Sequence, residues 1–357
     1  TMTQPAPNDA TGTVTTTYTR DQYERLTKIT FPDDSTQSFA YNTIDLPTSV
    51  TDEDDNTTQT GYNALGQTIS LTAADGGVTS YTLDLDGNVL TTQDPMGNIT
   101  SDEWNSRNEL VQQTLPPAAA GDTSPVLAYT YDANGNELTY TNALNEVTSE
   151  TWDKLNRLAT ETMPAPAQGL TAPETTFGYD NLSRKISETN ALSGTTTWAY
   201  ANTDVSQVTS ETLPPPSGSG QGPTTSYFYD ADERQDQVEN ALGQYTTTTF
   251  TPDGQTASVE DNLGDTTTYA YGHGQELLST TDALNHTSSD EYDSRFRLIQ
   301  TTDANNGVTQ ITLDPAGNET KLVDSDGNET GWTYSPTNLP LTETDSLGTT
   351  TNTYNLD

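Results

Sequence analysis

His273 and His286 are the only imidazoles in this 357-residue chain, and it has no cysteine. A zinc site or a nucleophilic triad needs an imidazole joined to a thiolate, a second imidazole, or an aligned serine and carboxylate. The two histidines lie 13 residues apart with no such set beside either. With 52 Asp and Glu residues, a glycosidase-like pair of carboxylates could be drawn almost anywhere. No pair of them departs from the chain's regular pattern in the way a catalytic insertion should, and the expectation is a protein that is not an enzyme.

Cation binding is the next chemistry to weigh. Asp84-Leu85-Asp86-Gly87-Asn88 and Asp324-Ser325-Asp326-Gly327-Asn328-Glu329 look like half of a calcium loop, because a hard cation wants several oxygens from one tight turn. Asp84, Asp86, Asp324 and Asp326 are therefore the metal candidates, for weak surface binding of calcium or another cation. The competing reading is a set of turn residues chosen for backbone geometry, since the rest of a calcium loop with its bidentate Glu is missing. No other cofactor is expected. Trp104, Trp152, Trp198 and Trp332 could stack on sugars, which makes glycans a partner to consider, although their spacing suits packing better. Six Asn-x-Ser/Thr sequons occur, at Asn56, Asn98, Asn181, Asn285, Asn318 and Asn328, but a chain this rich in Asn and Thr produces about as many by chance.

Charge excludes more than it suggests. Twelve Lys and Arg against 52 Asp and Glu give a formal charge of -40, which repels nucleic acid and anionic membranes. Self-repulsion on this scale predicts that salt or divalent cations raise stability. No apolar run approaches a membrane span. Hydrophobic residues make up 30% of the chain and mean hydropathy is -0.73, so only a thin apolar layer can be buried.

One recurring slot orders everything else. It is filled by Arg20, Tyr41, Tyr62, Leu83, Trp104, Tyr131, Trp152, Tyr179, Tyr200, Tyr229, Phe250, Tyr271, Tyr292, Leu313, Tyr334 and Tyr354, mostly at intervals of 21 residues. Such self-similarity decides the architecture, a repeat array in which each unit stacks on its neighbours. Each unit carries two turn signals. One follows the slot, as in Tyr131-Asp132-Ala133-Asn134-Gly135. The other precedes the next slot by about ten residues, as in Asn142-Ala143-Leu144-Asn145. Between the turns lie short runs of Thr, Tyr, Val and Leu that favour strands, and no 3.6-residue apolar period calls for a helix.

Alternation places the residue two before the slot on the same face as the slot itself. Tyr18, Phe39, Tyr81, Tyr129, Phe177, Trp198, Tyr227, Tyr269, Ile311 and Trp332 stand there, but Asp102, Glu150 and Asp290 replace them in three units. The expectation is a pair of buried aromatic ladders, with Tyr41, Tyr62, Trp104, Tyr131, Trp152, Tyr179, Tyr200, Tyr229, Phe250, Tyr271, Tyr292 and Tyr334 as the structural ladder. Leu26, Leu138, Leu158, Ile186, Leu278, Leu298 and Leu341 of the return strand should pack beside it, with Thr on the other face. The acidic exceptions should mark places where the ladder meets solvent. Proline-rich insertions at 115–125, 163–173 and 213–223 fall at one point of the unit and should emerge on one edge. Gln4-Pro5-Ala6-Pro7 resembles a fourth.

Tyr131-Asp132 with Gly135 and Leu138, Tyr179-Asp180 with Arg184-Lys185-Ile186, and Tyr292-Asp293 with Arg297-Leu298 resemble the YD repeats of the Rhs family. That family includes bacterial Rhs toxins, the shell subunits of insecticidal toxin complexes, and teneurins. The resemblance implies a twisted strip of antiparallel hairpins that spirals into a hollow shell around a toxin or into a barrel at the cell surface. In the family's toxin carriers an Asp-Pro motif takes part in self-cleavage. Asp94-Pro95-Met96-Gly97 and Asp314-Pro315-Ala316-Gly317 match in part, but Asn98 and Asn318 follow where the family has Leu. Both fall in ordinary turn positions.

The expected fold is all-β: tandem hairpins of about 21 residues with two strands each, in a spiralling, solenoid- or shell-like antiparallel strip. Residues 1–357 are expected to be one array, with a partial leading repeat at 1–17 and a truncated last repeat at 354–357, cut from a longer polypeptide. The favoured function is a non-enzymatic extracellular or cell-surface structural protein, a segment of a fibre or surface assembly. The second reading is the wall of a toxin-enclosing shell, and the third a glycan-binding adhesin. Partners are expected to be further repeats or a second copy, joined head to tail, with neither nucleic acid nor membrane insertion.

Overall fold

The structure is a computed structural model that describes residues 1–8, 11–119, 121–201, 207–216 and 220–354. Among the described residues there are 32 strands, from Met2–Pro5 to Gly348–Thr351, and no helix. Every strand register is antiparallel and joins strands consecutive in sequence, as in Val126–Tyr131 with Glu137–Thr141 and Thr36–Tyr41 with Pro47–Thr51. The chain divides into two compact units: Thr1–Asn98 with Phe250–Ser258 and Thr266–Asp357, and Ile99–Thr249 with Val259–Asp265.

One hairpin shows how the sequence produces the unit. Tyr129 faces Tyr140, Thr130 faces Thr139 and Tyr131 faces Glu137, which leaves Leu138 as the extra residue of a bulge. The same irregularity stands immediately before the slot residue in the other described hairpins of this kind, for instance at Ala40/Tyr41, Thr151/Trp152 and Glu291/Tyr292. A bulge strengthens local twist and re-aims side chains. Pairing to the following hairpin is shorter: Glu137–Thr141 meets Val147–Trp152 only at Thr139, Tyr140 and Thr141. The strands therefore part on the slot side of each unit.

Turns close the strands by a shared geometry. Asp132 Oδ1 accepts the N–H groups of Asn134 and Asn136 at 2.7 and 3.0 Å, while the Gly135 N–H returns to the Asp132 carbonyl at 3.3 Å. The fourth residue after the slot must adopt positive φ, which Gly135 does at 89° and Asn156 at 58°. The Asp of each slot-and-Asp pair is thus the residue that folds the turn, an Asx arrangement. The proline-rich insertions share one neck: the N–H groups of Leu115, Met163 and Leu213 donate to the carbonyls of Pro125, Pro173 and Pro223 at 2.9, 2.9 and 3.0 Å. Ala120 and Ser217–Ser219 of those insertions lie outside the described residues, as do Asn355–Asp357 of the truncated last repeat.

The two faces differ in chemistry and resemble each other in burial. One carries the slot aromatics and their cross-strand neighbours. The other carries Thr and Ser, with hydroxyls bonded across strands at Thr130–Thr139, Thr151–Thr160 and Thr333–Thr342. Among the described residues no hydrophobic side chain is fully buried. This corrects the expectation of buried aromatic ladders: every expected ladder residue, from Tyr41 to Tyr334, is only half-buried. The cause is the single layer, since a sheet face needs a second element over it to become dry. Accessible surface is 21564 Å², where a globular chain of 38.5 kDa would expose about 14,000 Å².

Candidate functional site: the joints between repeats

The slot tyrosine closes the gap that the parting strands leave. Tyr41, Tyr62, Tyr292 and Tyr334 donate their hydroxyls to the carbonyls of Leu26, Pro47, Leu277 and Glu319, each 15 residues earlier and each at 2.8 or 2.9 Å. In the second unit Tyr131, Tyr200 and Tyr229 bond the carbonyls of Leu110, Lys185 and Val208 at 2.8 or 2.9 Å. Trp152 does the same through its indole N–H to Glu137 at 2.7 Å. The accepting carbonyl always lies past the last rung of the ladder to the next hairpin, so the phenol replaces a missing backbone donor. Tyr354 repeats the bond to Pro340 at 2.8 Å.

An arginine five residues after the slot ties the same joint from the side. Arg157 is held by Asp153 at 2.6 Å, stacks over the next slot ring, Tyr179, at 4.7 Å, and donates to the carbonyl of Asp180 at 2.9 Å. Arg184 repeats the pattern with Asp180, Tyr200 and Ala201, and Arg25 with Asp21, Tyr41 and Asn42. Charge, cation–π attraction and backbone bonding converge on one guanidinium. Tyr129 and Tyr140 form a cross-strand ring pair at 5.3 Å. Tyr179 lies under Arg157, and no ring pair joins it to Trp198.

Acidic residues in ladder positions find polar neighbours. Asp102 accepts from Gln113 at 3.0 Å and Asp290 from Thr301 at 2.8 Å. Glu150 faces Glu161 across the strands. Trp198 donates to Glu211 at 3.1 Å, and Lys185 lies 4.4 Å over the Trp198 ring.

Of the metal candidates, Asp84 and Asp324 have their carboxylate oxygens engaged within the turn, and Asp86 and Asp326 contribute their N–H groups to them. Asp84 Oδ1 accepts from the N–H groups of Asp86 and Asn88, and its Oδ2 from the Asn88 amide. Asp324 binds Asp326 and Asn328 in the same manner. Among the described residues no three His, Cys, Asp or Glu side chains are grouped to hold a metal ion. His286 serves its own turn by contacting Asp282 at 2.9 Å. Asp314, in one of the two Asp-Pro pairs, accepts from Gly317 and Asn318 as an ordinary turn residue.

A second kind of joint lies inside the first unit, and sequence reasoning missed it. Turns that precede the early slots meet turns that follow the late ones. Arg295 lies 3.9 Å over the Phe31 ring, pairs with Glu53 at 2.8 Å and Asp33 at 3.6 Å, and bonds Ser35 at 3.1 Å. Arg297 reaches Asp33 at 3.2 Å. Arg295 and Glu53 each retain only 13% side-chain exposure, so loss of either would strand the other charge. One loop further back, Asn8 meets Glu276 and Tyr292. The only local signal was a cluster of arginines, Arg295 and Arg297, in a chain that has twelve Lys and Arg in all.

Titration follows this geometry. The Asn side chain four residues on holds Asp84, Asp94, Asp132 and Asp324 below the usual carboxylate range, and the arginine side chain does so for Asp153 and Asp230. Burial pushes Asp54, Glu137 and Glu150 up, helped by neighbouring carboxylates at Asp54 and Glu150.

A family model described as RHS Repeat matches residues 62–99. No curated protein matches the sequence. The chain is similar in structure to the Tc holotoxin pore of Photorhabdus luminescens, at 15% identity and a TM-score of 0.76, over 91% of this chain and 20% of that one. It is also similar to the crystal structure of TcdB2-TccC3-TEV, at 14% identity and a TM-score of 0.67, over 91% of this chain and 22% of that one. Identity this low establishes the fold alone, and the chain spans about a fifth of the length of those it matches.

Two outcomes are expected. Tyr131→Phe leaves the Leu110 carbonyl without its donor and should cost about 1–2 kcal/mol of unfolding free energy, measured by urea denaturation, whereas Tyr23→Phe at an exposed turn should change little. The carboxylates held low contribute stability that is complete above their unfolded pKa and disappears as pH falls through their lower folded values. Asp54, Glu137 and Glu150 work oppositely, since their raised pKa destabilises at neutral pH and the penalty is relieved on protonation. Melting temperature should therefore rise as pH is lowered from 7 toward about 5 and fall below about 4. A monotonic rise down to pH 2 would contradict the turn assignment.

Proposed function

We propose, on the premise that this chain belongs to the YD-repeat (Rhs) family, that it is a non-enzymatic wall segment of a hollow shell of the toxin-complex kind, assembled outside the cell with further repeats. The observation that carries this reading is the edge joint within the first unit. Arg295 and Arg297 join residues more than 240 positions earlier in the chain, Glu53 and Asp33. Repeats far apart in sequence lie side by side there, as the courses of a wall must. A fibre whose strip extends without winding back on itself would keep them apart.

The chemistry of the strip suits containment. A single layer of hairpins, with half-buried aromatics on one face and hydroxyls on the other, needs no packed interior, so it can separate two aqueous spaces. The dense carboxylates repel nucleic acid, and no helix of the described residues is long and apolar enough to cross a membrane. Resemblance to toxin-complex shells supports this wall more strongly than the fibre that the sequence first favoured.

Negative-stain electron microscopy of the purified chain, over a range of protein concentration, tests the proposal. Discrete particles of constant size with a stain-filled lumen or an open curved wall are expected. Filaments that lengthen with concentration would overturn it in favour of the fibre.

A further inference from the structure

The densest anomaly in the molecule surrounds Glu276. It is the one buried charged residue among those described, 8% exposed. It stands five residues after the slot, a place filled by Arg or Asn in many units and by another Glu at Glu109, which unlike Glu276 pairs with an arginine, Arg107. Its turn, Gly272 to Glu276, begins with glycine where most units have Asp or Asn. A Cβ at Gly272 would collide with the Glu276 carboxylate, and one at Gly274 with the Phe296 ring. Glycine at both positions leaves room for the Glu276 carboxylate and the Phe296 ring as they stand. Phe296 closes it with φ at 62°, and Gln275 stands at 71°, conformations that bulky L-residues rarely hold without compensation.

The niche is filled from the other end of the chain. The Asn8 N–H donates to Glu276 Oε1 at 2.8 Å. The Asn8 side chain donates its amide to the Tyr292 carbonyl at 2.7 Å and accepts the Tyr292 N–H at 2.8 Å. One carboxamide thus satisfies both backbone groups of a residue beyond the last rung between Leu277–Thr281 and Thr287–Tyr292, which ends at Ser279 and Ser289. Pro7 beside it is buried while Asn8 keeps an exposed side. Glu276 Oε2 has no hydrogen-bond partner, so the niche could accept more donors than this loop supplies, and an unpaired buried carboxylate oxygen is costly.

We infer that this niche is a receptor for a proline-asparagine loop and that the Pro7-Asn8 loop of a second copy can occupy it in place of the chain's own. The occupant is fixed by what is seen there: a loop of this chain, 268 and 284 residues from its partners in sequence, held only by non-covalent bonds. An identical loop on another copy offers the same carboxamide and the same N–H. An aspartate in place of Asn8 would lose the donor to Tyr292 and bring a second negative charge to Glu276. Within one chain the loop has the advantage of high effective concentration, so exchange becomes visible when each copy can satisfy only one side.

The experiment mixes two full-length variants. Asn8→Asp keeps the niche and impairs the plug; Glu276→Ala keeps the plug and removes the niche's carboxylate acceptor for the Asn8 N–H. Each should be monomeric alone by analytical ultracentrifugation, with far-UV circular dichroism like that of the parent, and the equimolar mixture should form a one-to-one complex. The complex should disappear when Asn8→Asp and Glu276→Ala are combined in both partners. If Asn8→Asp does not fold, Asn8→Ala takes its place. A mixture that remains monomeric, or either variant associating equally well alone, would overturn the inference.

Discussion

The bond from a slot tyrosine to a carbonyl of the preceding hairpin is the interaction on which the rest of the structure depends. A bulge before each slot makes the strands part, and where they part the backbone ladder ends. A single-layer sheet has no opposing layer to hold the gap shut. The phenol provides a donor and an apolar ring in one residue, which explains why Tyr dominates the slot. The Asp that follows folds the turn, and an Arg at the end of that turn reaches the next ring and carbonyl. Position by position, the repeat is a device for joining one hairpin to the next.

That device sets how the molecule tolerates its charge. Asp carboxylates in the turns are not loose surface charges, because Asp84, Asp132 and Asp324 each accept several donors from their own loop. Their ionised form is the structural form. The unpaired acids elsewhere carry the repulsion, and Glu150 facing Glu161 across the strands is its clearest instance. Few cations are present, and several lie at joints: Arg25, Arg157 and Arg184 between neighbouring repeats, Arg295 and Arg297 between distant ones.

Much of this was legible in the sequence, and the failures have physical causes. Phase, strand class and turn position followed from spacing alone, because Gly135 and Asn156 stand where positive φ is needed. The bulge was missed, although its sign was present: the apolar residue of the return strand wanders between six places after the slot (Leu26, Leu158, Leu298) and seven (Leu138, Ile186, Leu278, Leu341), a latitude that a regular strand would forbid. Burial was overestimated because alternation tells which residues share a face and not whether anything covers that face. The Arg joint had a local signal, Asp and Arg four residues apart at Asp153 and Arg157 or Asp180 and Arg184, that pattern reading of strands passes over. The contact of Asn8 with Glu276 had none, and the paired arginines Arg295 and Arg297 did not name Glu53 as a partner, since nothing local specifies a pairing over such a distance.

The central claim is that hydrogen-bonded and ionic joints, in the absence of a dry core, hold the repeats together. Heat-capacity change on unfolding reports it most directly, since apolar surface raises this quantity and polar surface lowers it. Globular proteins show about 12–15 cal/mol/K per residue. Differential scanning calorimetry of this chain across a range of pH should give a value clearly below that band. A value within the band would mean that a normal amount of apolar surface is buried in solution, and would contradict the account.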